Sequence, residues 1–258
     1  MKNNILLLSL ILLLGLTGCA RAPRSTDILQ TIEPYPIGGE HIITAPDVAR
    51  TNVYHEVGPG ETVWRISKMY DVKIESIANV NNIADITKLE KGQKLLIPDA
   101  APLRAVVPLW PSKKWKYIII HHSATDVGNA LSFDYVHSNK RKWKGLGYHF
   151  VIDNGTSGKE DGQVEVSPRW IHQEDGAHCK AGDMNCRSIG ICLVGNFSED
   201  KVSKKQMDSL AWLVNKLRKE YSIPESRILG HSDVKGASTE CPGTRFPWND
   251  FRYKLRRY

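Results

Sequence analysis

Three residues beyond position 112 have the types that hold zinc: His121, His231 and Cys241, the last ten positions beyond the second. Zinc takes imidazole nitrogen and cysteine thiolate, and a catalytic zinc keeps three protein ligands with a fourth position open to water. Two histidines and one cysteine satisfy that count, although their spacing is not a compact motif. His122, next to a candidate ligand on a strand, is expected to face the opposite way. His41, His55, His137 and His172 have no comparable setting and read as structural or solvated. Cys192 lies inside an apolar run and reads as a buried thiol. Cys179 and Cys186 bracket a short loop containing glycine. In an exported chain a disulfide is the first reading of that pair, and a second zinc site lacks further ligands nearby.

The candidate ligands need elements to present them. Tyr117-Ile118-Ile119-Ile120 is a continuous apolar run suited to a strand buried on both faces, and it delivers His121 at its end. Phe133, Val136 and His137 mark a weak helix. Tyr148 to Ile152 reads as a strand before a turn at Asp153-Asn154-Gly155, Ser188 to Val194 as another buried strand, and Arg227-Ile228-Leu229 as a shorter one ahead of His231. Met207, Leu210, Ala211, Val214, Leu217 and Tyr221 line one face of a long helix, opened by the capping-box pair Ser203 and Gln206. Strands alternating with helices predict an α/β domain around a mixed central sheet.

Blocks IIIHHSAT, GYHFVI, GAH, SIGICLVGNF, GHSDV and TECPG follow one another in this order. Together they resemble the zinc amidases shared by phages and animal peptidoglycan recognition proteins, over about residues 115–250. The resemblance implies a mixed sheet flanked by helices, with zinc held by His121, His231 and Cys241. It implies that Tyr148 stabilises the oxyanion or assists proton transfer, and that His149 and His178 support the ligands by hydrogen bonds or line the peptide groove. Phage members carry a lysine two residues before the cysteine. Here Thr239 stands there, as in the animal amidases, and offers a hydroxyl hydrogen bond at most.

The amino terminus points to a compartment. Met1-Lys2-Asn3-Asn4 and the apolar run Ile5 to Leu16 suit a signal peptide and are too short to span a bilayer, which takes about 20 apolar residues. Leu16-Thr17-Gly18-Cys19 resembles the bacterial lipobox, which implies lipidation at Cys19. With Ala20 rather than Asp following, that resemblance implies the outer membrane of a Gram-negative-type envelope, facing the periplasm. Residues 1–18 are then the signal peptide and 19–52 a tether. The segment 53–98 carries G-x-T-x-W-x-I, Asn81-Asn82 and G-Q-x-L-x-I-P. It resembles a LysM domain of strand–helix–helix–strand form, which implies binding to the N-acetylglucosamine chains of peptidoglycan or chitin through the loops holding Gly60, Thr62, Asn81 and Asn82. Trp64 and Ile66 read as core. Pro102, Pro108 and Pro111 make 99–112 a stiff linker, leaving 113–258 as a separable catalytic domain.

Composition agrees. With 41% hydrophobic and 24% charged residues the chain is neither disordered nor a polytopic membrane protein. The net +7 resides in 113–258, with 24 basic against 17 acidic residues, and favours an anionic partner. No basic block, finger spacing or aromatic signature points to nucleic acid. The expected protein is an N-acetylmuramoyl-L-alanine amidase using Zn2+, cutting between the lactyl carbonyl and L-alanine, with LysM raising the local concentration of enzyme on the wall. The alternative is a binding-only recognition protein on the same fold. A glycan-strand hydrolase would need a placed pair of carboxylates, whereas Asp233 and Glu240 beside the ligands read as support. A peptidase using Cys241 as nucleophile is incompatible with that thiolate holding zinc.

Overall fold

A computed structural model describes residues 49–257. The signal peptide 1–18, Cys19 and nearly all of the tether 19–52 lie outside the described residues. The first unit of structure is a two-stranded antiparallel sheet, β1 (Thr51–Glu56) and β2 (Lys94–Ala100), enclosing α1 (Val63–Tyr70) and α2 (Ile74–Val80). β1 therefore starts inside the stretch expected to be tether. Thr62 caps α1 by accepting the Arg65 N–H. Val63, Ile66, Met69, Ile77, Leu95 and Ile97 close a small core.

The larger part is built on β3 (Tyr117–His122), α3 (Ala130–Asn139), β4 (Phe150–Asn154), β5 (Asp161–Val166), α4 (Pro168–Ile171), α5 (Met184–Arg187), β6 (Ser188–Leu193), α6 (Lys204–Glu220), β7 (Ile228–Gly230) and α7 (Trp248–Arg256). The strand order is β5-β4-β6-β3-β7, parallel throughout except for the β4–β5 hairpin, so the sheet is mixed as expected. Ser203 and Gln206 form the expected capping box on α6. Leu210, Leu213, Val214 and Leu217 of α6 press onto Ile118, Ile120, Phe150, Ile152, Ile189 and Ile191, all fully buried. Each such side chain contributes about 1.5–3 kcal/mol through burial. Strand alternation then turns Ile119 and His121 to the opposite face, where the functional residues gather.

Residues 99–112 are not a free linker. Asp99 and Ala100 belong to β2. Leu103 and Val106 pack on the small core, and Val107 and Trp110 pack on the large one. Trp170 Nε1 donates to the Pro108 carbonyl at 2.8 Å, and Tyr221 Oη to that of Trp110 at 3.1 Å. Proline stiffness suggested a spacer, but the apolar residues between the prolines have two cores to bury against.

Beneath this strap lies a buried charge cluster. Glu61 accepts from His55 Nε2 at 2.8 Å and from the Gly58 N–H at 2.9 Å, and pairs with Arg65. Burial alone would raise its carboxyl, but His55, Arg65 and Gly58 outweigh burial and hold it well below the usual carboxylate range. A depressed folded value stabilises the fold above the unfolded carboxylate value, near 4.3, and that contribution is lost as pH falls below it. The melting temperature is thus expected to drop as pH is lowered from about 5 to 3. Glu61→Gln should flatten that slope relative to the parent, and an unchanged slope would remove Glu61 as its source.

Candidate metal centre

β3 and β7 run side by side with Ile120 opposite Gly230, so the residues following that pair emerge together at the carboxyl ends of the strands. His121 is still within β3, and His231 opens a single 3-10 turn, His231–Asp233. Their ring centroids are 4.7 Å apart. Asp233 Oδ2 accepts the Gly230 N–H at 2.8 Å and fixes the turn. A Cβ at Gly230 would stand 2.8 Å from Pro242 Cδ and 3.0 Å from the Trp248 ring, so only glycine lets the Cys241 loop come this close. That loop is held by Ser232 N–H donating to the Cys241 carbonyl at 2.7 Å. Cys241 N–H in turn donates to Thr239 Oγ1 at 3.1 Å.

Cys241 Sγ lies 3.5 Å from His121 Nδ1 and accepts from the His122 N–H at 3.3 Å. One ligand atom from each of His121, His231 and Cys241 falls within 4.8 Å of the others. Nitrogen and sulfur ligands on a tetrahedral zinc are about 3.6 Å apart, given bonds of about 2.05 and 2.3 Å. The donor set fits. Burial pushes the Cys241 thiol up to about 12 and drives the His121 imidazole well below its usual range. Burial lowers His231 as well. The histidines offer neutral lone pairs, and the thiol would release its proton on taking up a metal cation.

His121 keeps Nδ1 for the centre by using its other nitrogen. His121 Nε2 lies 3.0 Å from His178 Nδ1, so the tautomer with hydrogen on Nε2 donates to His178 and leaves Nδ1 bare. A Cβ at Gly190 would stand 2.4 Å from the His178 ring, which makes that glycine the seat of the imidazole. His178→Ala is expected to weaken binding of a divalent metal about 10–100-fold. Asn at 178 should recover part of the loss, because its carbonyl can accept the same hydrogen bond. Titration against a competing chelator measures both. His149 plays a different part. Its Nδ1 accepts the Gly190 N–H at 2.9 Å, and its Nε2 donates to the Glu174 carbonyl at 3.2 Å. Burial lowers its pKa to about 3, so it joins sheet to loop as a neutral ring. His122 points to the other face and accepts the Phe197 N–H at 3.1 Å.

The Tyr148 ring lies beside the centre, 5.3 Å from the His121 ring. Burial, then the Cys192 and Cys241 thiols, push its phenol well above its usual value, so it stays a hydrogen-bond donor. Its neighbourhood is fastened from three sides. Gly147 N–H donates to His137 Nδ1 at 3.0 Å, Ala177 N–H donates to the Gly147 carbonyl at 2.9 Å, and Arg169 binds the carbonyls of Lys144, Leu146 and Asp175. Nothing in the sequence singles out Arg169, because one arginine in SPRW carries no sign that it will be buried among carbonyls. Thr239 is exposed, and although Oγ1 accepts from Cys241, its own hydroxyl hydrogen is still available to donate.

The expected Cys179–Cys186 disulfide is not formed. Cys179 is turned into an apolar cluster with Ile119, Met184 and Val234, its sulfur 3.8 Å from the Ala181 carbonyl, while Cys186 lies on α5. In the amino-terminal segment, Asn81 is committed to structure: its Nδ2 donates to the Ile77 and Leu96 carbonyls and its Oδ1 accepts the Leu96 N–H. Thr62 is the cap of α1, Gly60 abuts Pro168, and Asn82 is exposed with φ of 53°.

A model of the LysM domain matches residues 55–98, and the Amidase_2 model, described as N-acetylmuramoyl-L-alanine amidase, matches 111–244. Peptidoglycan-recognition protein SC1a of Drosophila melanogaster is 32% identical over 145 residues, covering 53% of this chain and 71% of that protein. N-acetylmuramoyl-L-alanine amidase CwlH of Bacillus subtilis is 28% identical over 136 residues, 52% of this chain and 50% of that one. The solved N-acetylmuramoyl-L-alanine amidase LysC from Clostridium intestinale is 33% identical with a TM-score of 0.47, covering 58% of this chain and 95% of that structure. Because the Amidase_2 match spans more than half of the chain and takes in all three donors, the chain belongs to the N-acetylmuramoyl-L-alanine amidase family.

Proposed function

We propose that this chain is a zinc-dependent peptidoglycan amidase, hydrolysing the amide between the lactyl group of N-acetylmuramic acid and L-alanine of the stem peptide. The observation that carries the reading is the convergence of His121, His231 and Cys241 beside the protonated phenol of Tyr148. When bound, zinc supplies Lewis acidity and a nucleophile competent near neutral pH. The protein does the rest. Tyr148 donates to the carbonyl oxygen as that atom gains charge. Thr239 holds the Cys241 loop and can add one further donor. His178 and the Thr239–Cys241 contact fix the donors in place, so little reorganisation is needed during the reaction.

The LysM domain holds glycan strands, and the surplus of basic residues in 113–258 suits a polymer rich in stem-peptide carboxylates. The basic start, short apolar run and Cys19 ending support a lipid anchor in the outer membrane, facing the periplasm. A recognition-only reading draws on relatives named as peptidoglycan-recognition proteins. The complete donor set, with Tyr148 beside it, favours the enzyme. Mass analysis of products from defined muropeptides tests this. The expected products are an intact stem peptide with a free alanine amine and a glycan bearing a free lactyl carboxyl. Binding of muropeptide without those products would leave recognition as the function.

A further inference from the structure

The LysM and amidase parts exchange buried cations. Arg65 of α1 is 5% exposed, yet its Nη2 donates across to the Val164 carbonyl of β5 at 2.8 Å, and its Nε to the Val106 carbonyl of the strap at 2.9 Å. In return Lys159, from the turn between β4 and β5, is 6% exposed and donates to the Glu56 carbonyl of β1 at 2.9 Å. Its ammonium also pairs with Glu165 at 3.2 Å. Farther out, Lys91 meets Asp134 of α3 at 2.8 Å. The β1–α1 loop rests on α4, where a Cβ at Gly60 would be 3.0 Å from Pro168 Cγ.

From this geometry we infer that β5, the β4–β5 turn and α4 form a docking surface whose partner is the chain's own LysM domain, so that the two move as one rigid body. The reason is the position of the cations. Each buried charge has partners on both sides of the seam, and a displacement of a few ångströms would break the set across it, leaving donors of a buried cation unpaired. The apolar strap adds to this, since Leu103 and Val106, half-buried, pack on one core and Val107 and Trp110 on the other. A module swinging on a tether raises local concentration only. A docked module keeps its loops at a constant position relative to His121, His231 and Cys241. If those loops grip glycan, which rests on the proposed function, the muramoyl residue attacked then has a set register from the sugars held.

Nuclear spin relaxation of the full chain in mild detergent tests the docking without reference to activity, so it can fail while the amidase reading stands. Amides of α1 and α6 should report the same rotational correlation time. In Lys159→Glu the α1 amides should reorient about two- to fourfold faster, as a small body released on a flexible connection. Faster α1 motion in the native chain overturns the inference, whether or not the variant folds. Equal times in a folded Lys159→Glu chain would overturn the cation exchange as its basis.

Discussion

Replacement of His121 or His231 by alanine, or of Cys241 by serine, is expected to abolish bound zinc and muropeptide cleavage together, leaving turnover at the limit of detection. The three donors sit at the ends of two adjacent parallel strands and in one loop pinned to them, within 4.8 Å of one another. No fourth His, Cys or carboxylate of the described residues is grouped with them to take over. A three-ligand site that loses one donor cannot keep both its affinity and its geometry. Chelation of the native protein should have the same effect, reversed by added zinc. Metal analysis beside a product assay checks the pair of outcomes. Full turnover in metal-free protein would end the zinc reading, whereas zinc retained by a variant would remove that residue from the ligand set.

Tyr148→Phe should separate the two readouts. Its ring lies against His121 but supplies no ligand atom, so zinc content is expected to stay at the native level. Turnover should fall about 10²–10³-fold, the scale for losing a single oxyanion donor. The phenol is held protonated by burial and by the neighbouring thiols, so the lost element is a hydrogen bond and not a charge. A fall in kcat with little change in KM would match a contact made mainly in the transition state. Loss of zinc in this variant would mean that Tyr148 supports the ligands.

Several elements were invisible to periodicity for identifiable reasons. β5 has only Val164 and Val166 as apolar residues, while Gln163 and Glu165 are buried and polar. Those polar side chains are tolerated because Glu165 accepts the Ala130 N–H and pairs with Lys159, partners that become neighbours only in the fold. α7 buries just Phe251 and Leu255, too few to stand out from its charged face. The disulfide expectation came from spacing along the chain. Spacing is silent on the direction of a side chain, and Cys179 turned inward to Ile119 and Val234.

What the sequence by itself determined was the local frame and the residues to look for. Apolar runs dictated β3 and β6, the 3.6-residue period and the Ser203–Gln206 cap dictated α6, and the motif blocks pointed to Tyr148 and to His121, His231 and Cys241, which the fold brings together. Each of those signals is a short-range property of consecutive residues. Only the tertiary structure decided which imidazole nitrogen faces the centre, that His178 receives the other, and that Arg169 clamps the loop before Tyr148. It also turned a proline-containing spacer into a strap and joined the two domains through Arg65 and Lys159. The physical reason is that the His121 imidazole and the buried charges of Arg65 and Lys159 depend on partners 57 to 103 positions away, and no local pattern encodes who those partners will be.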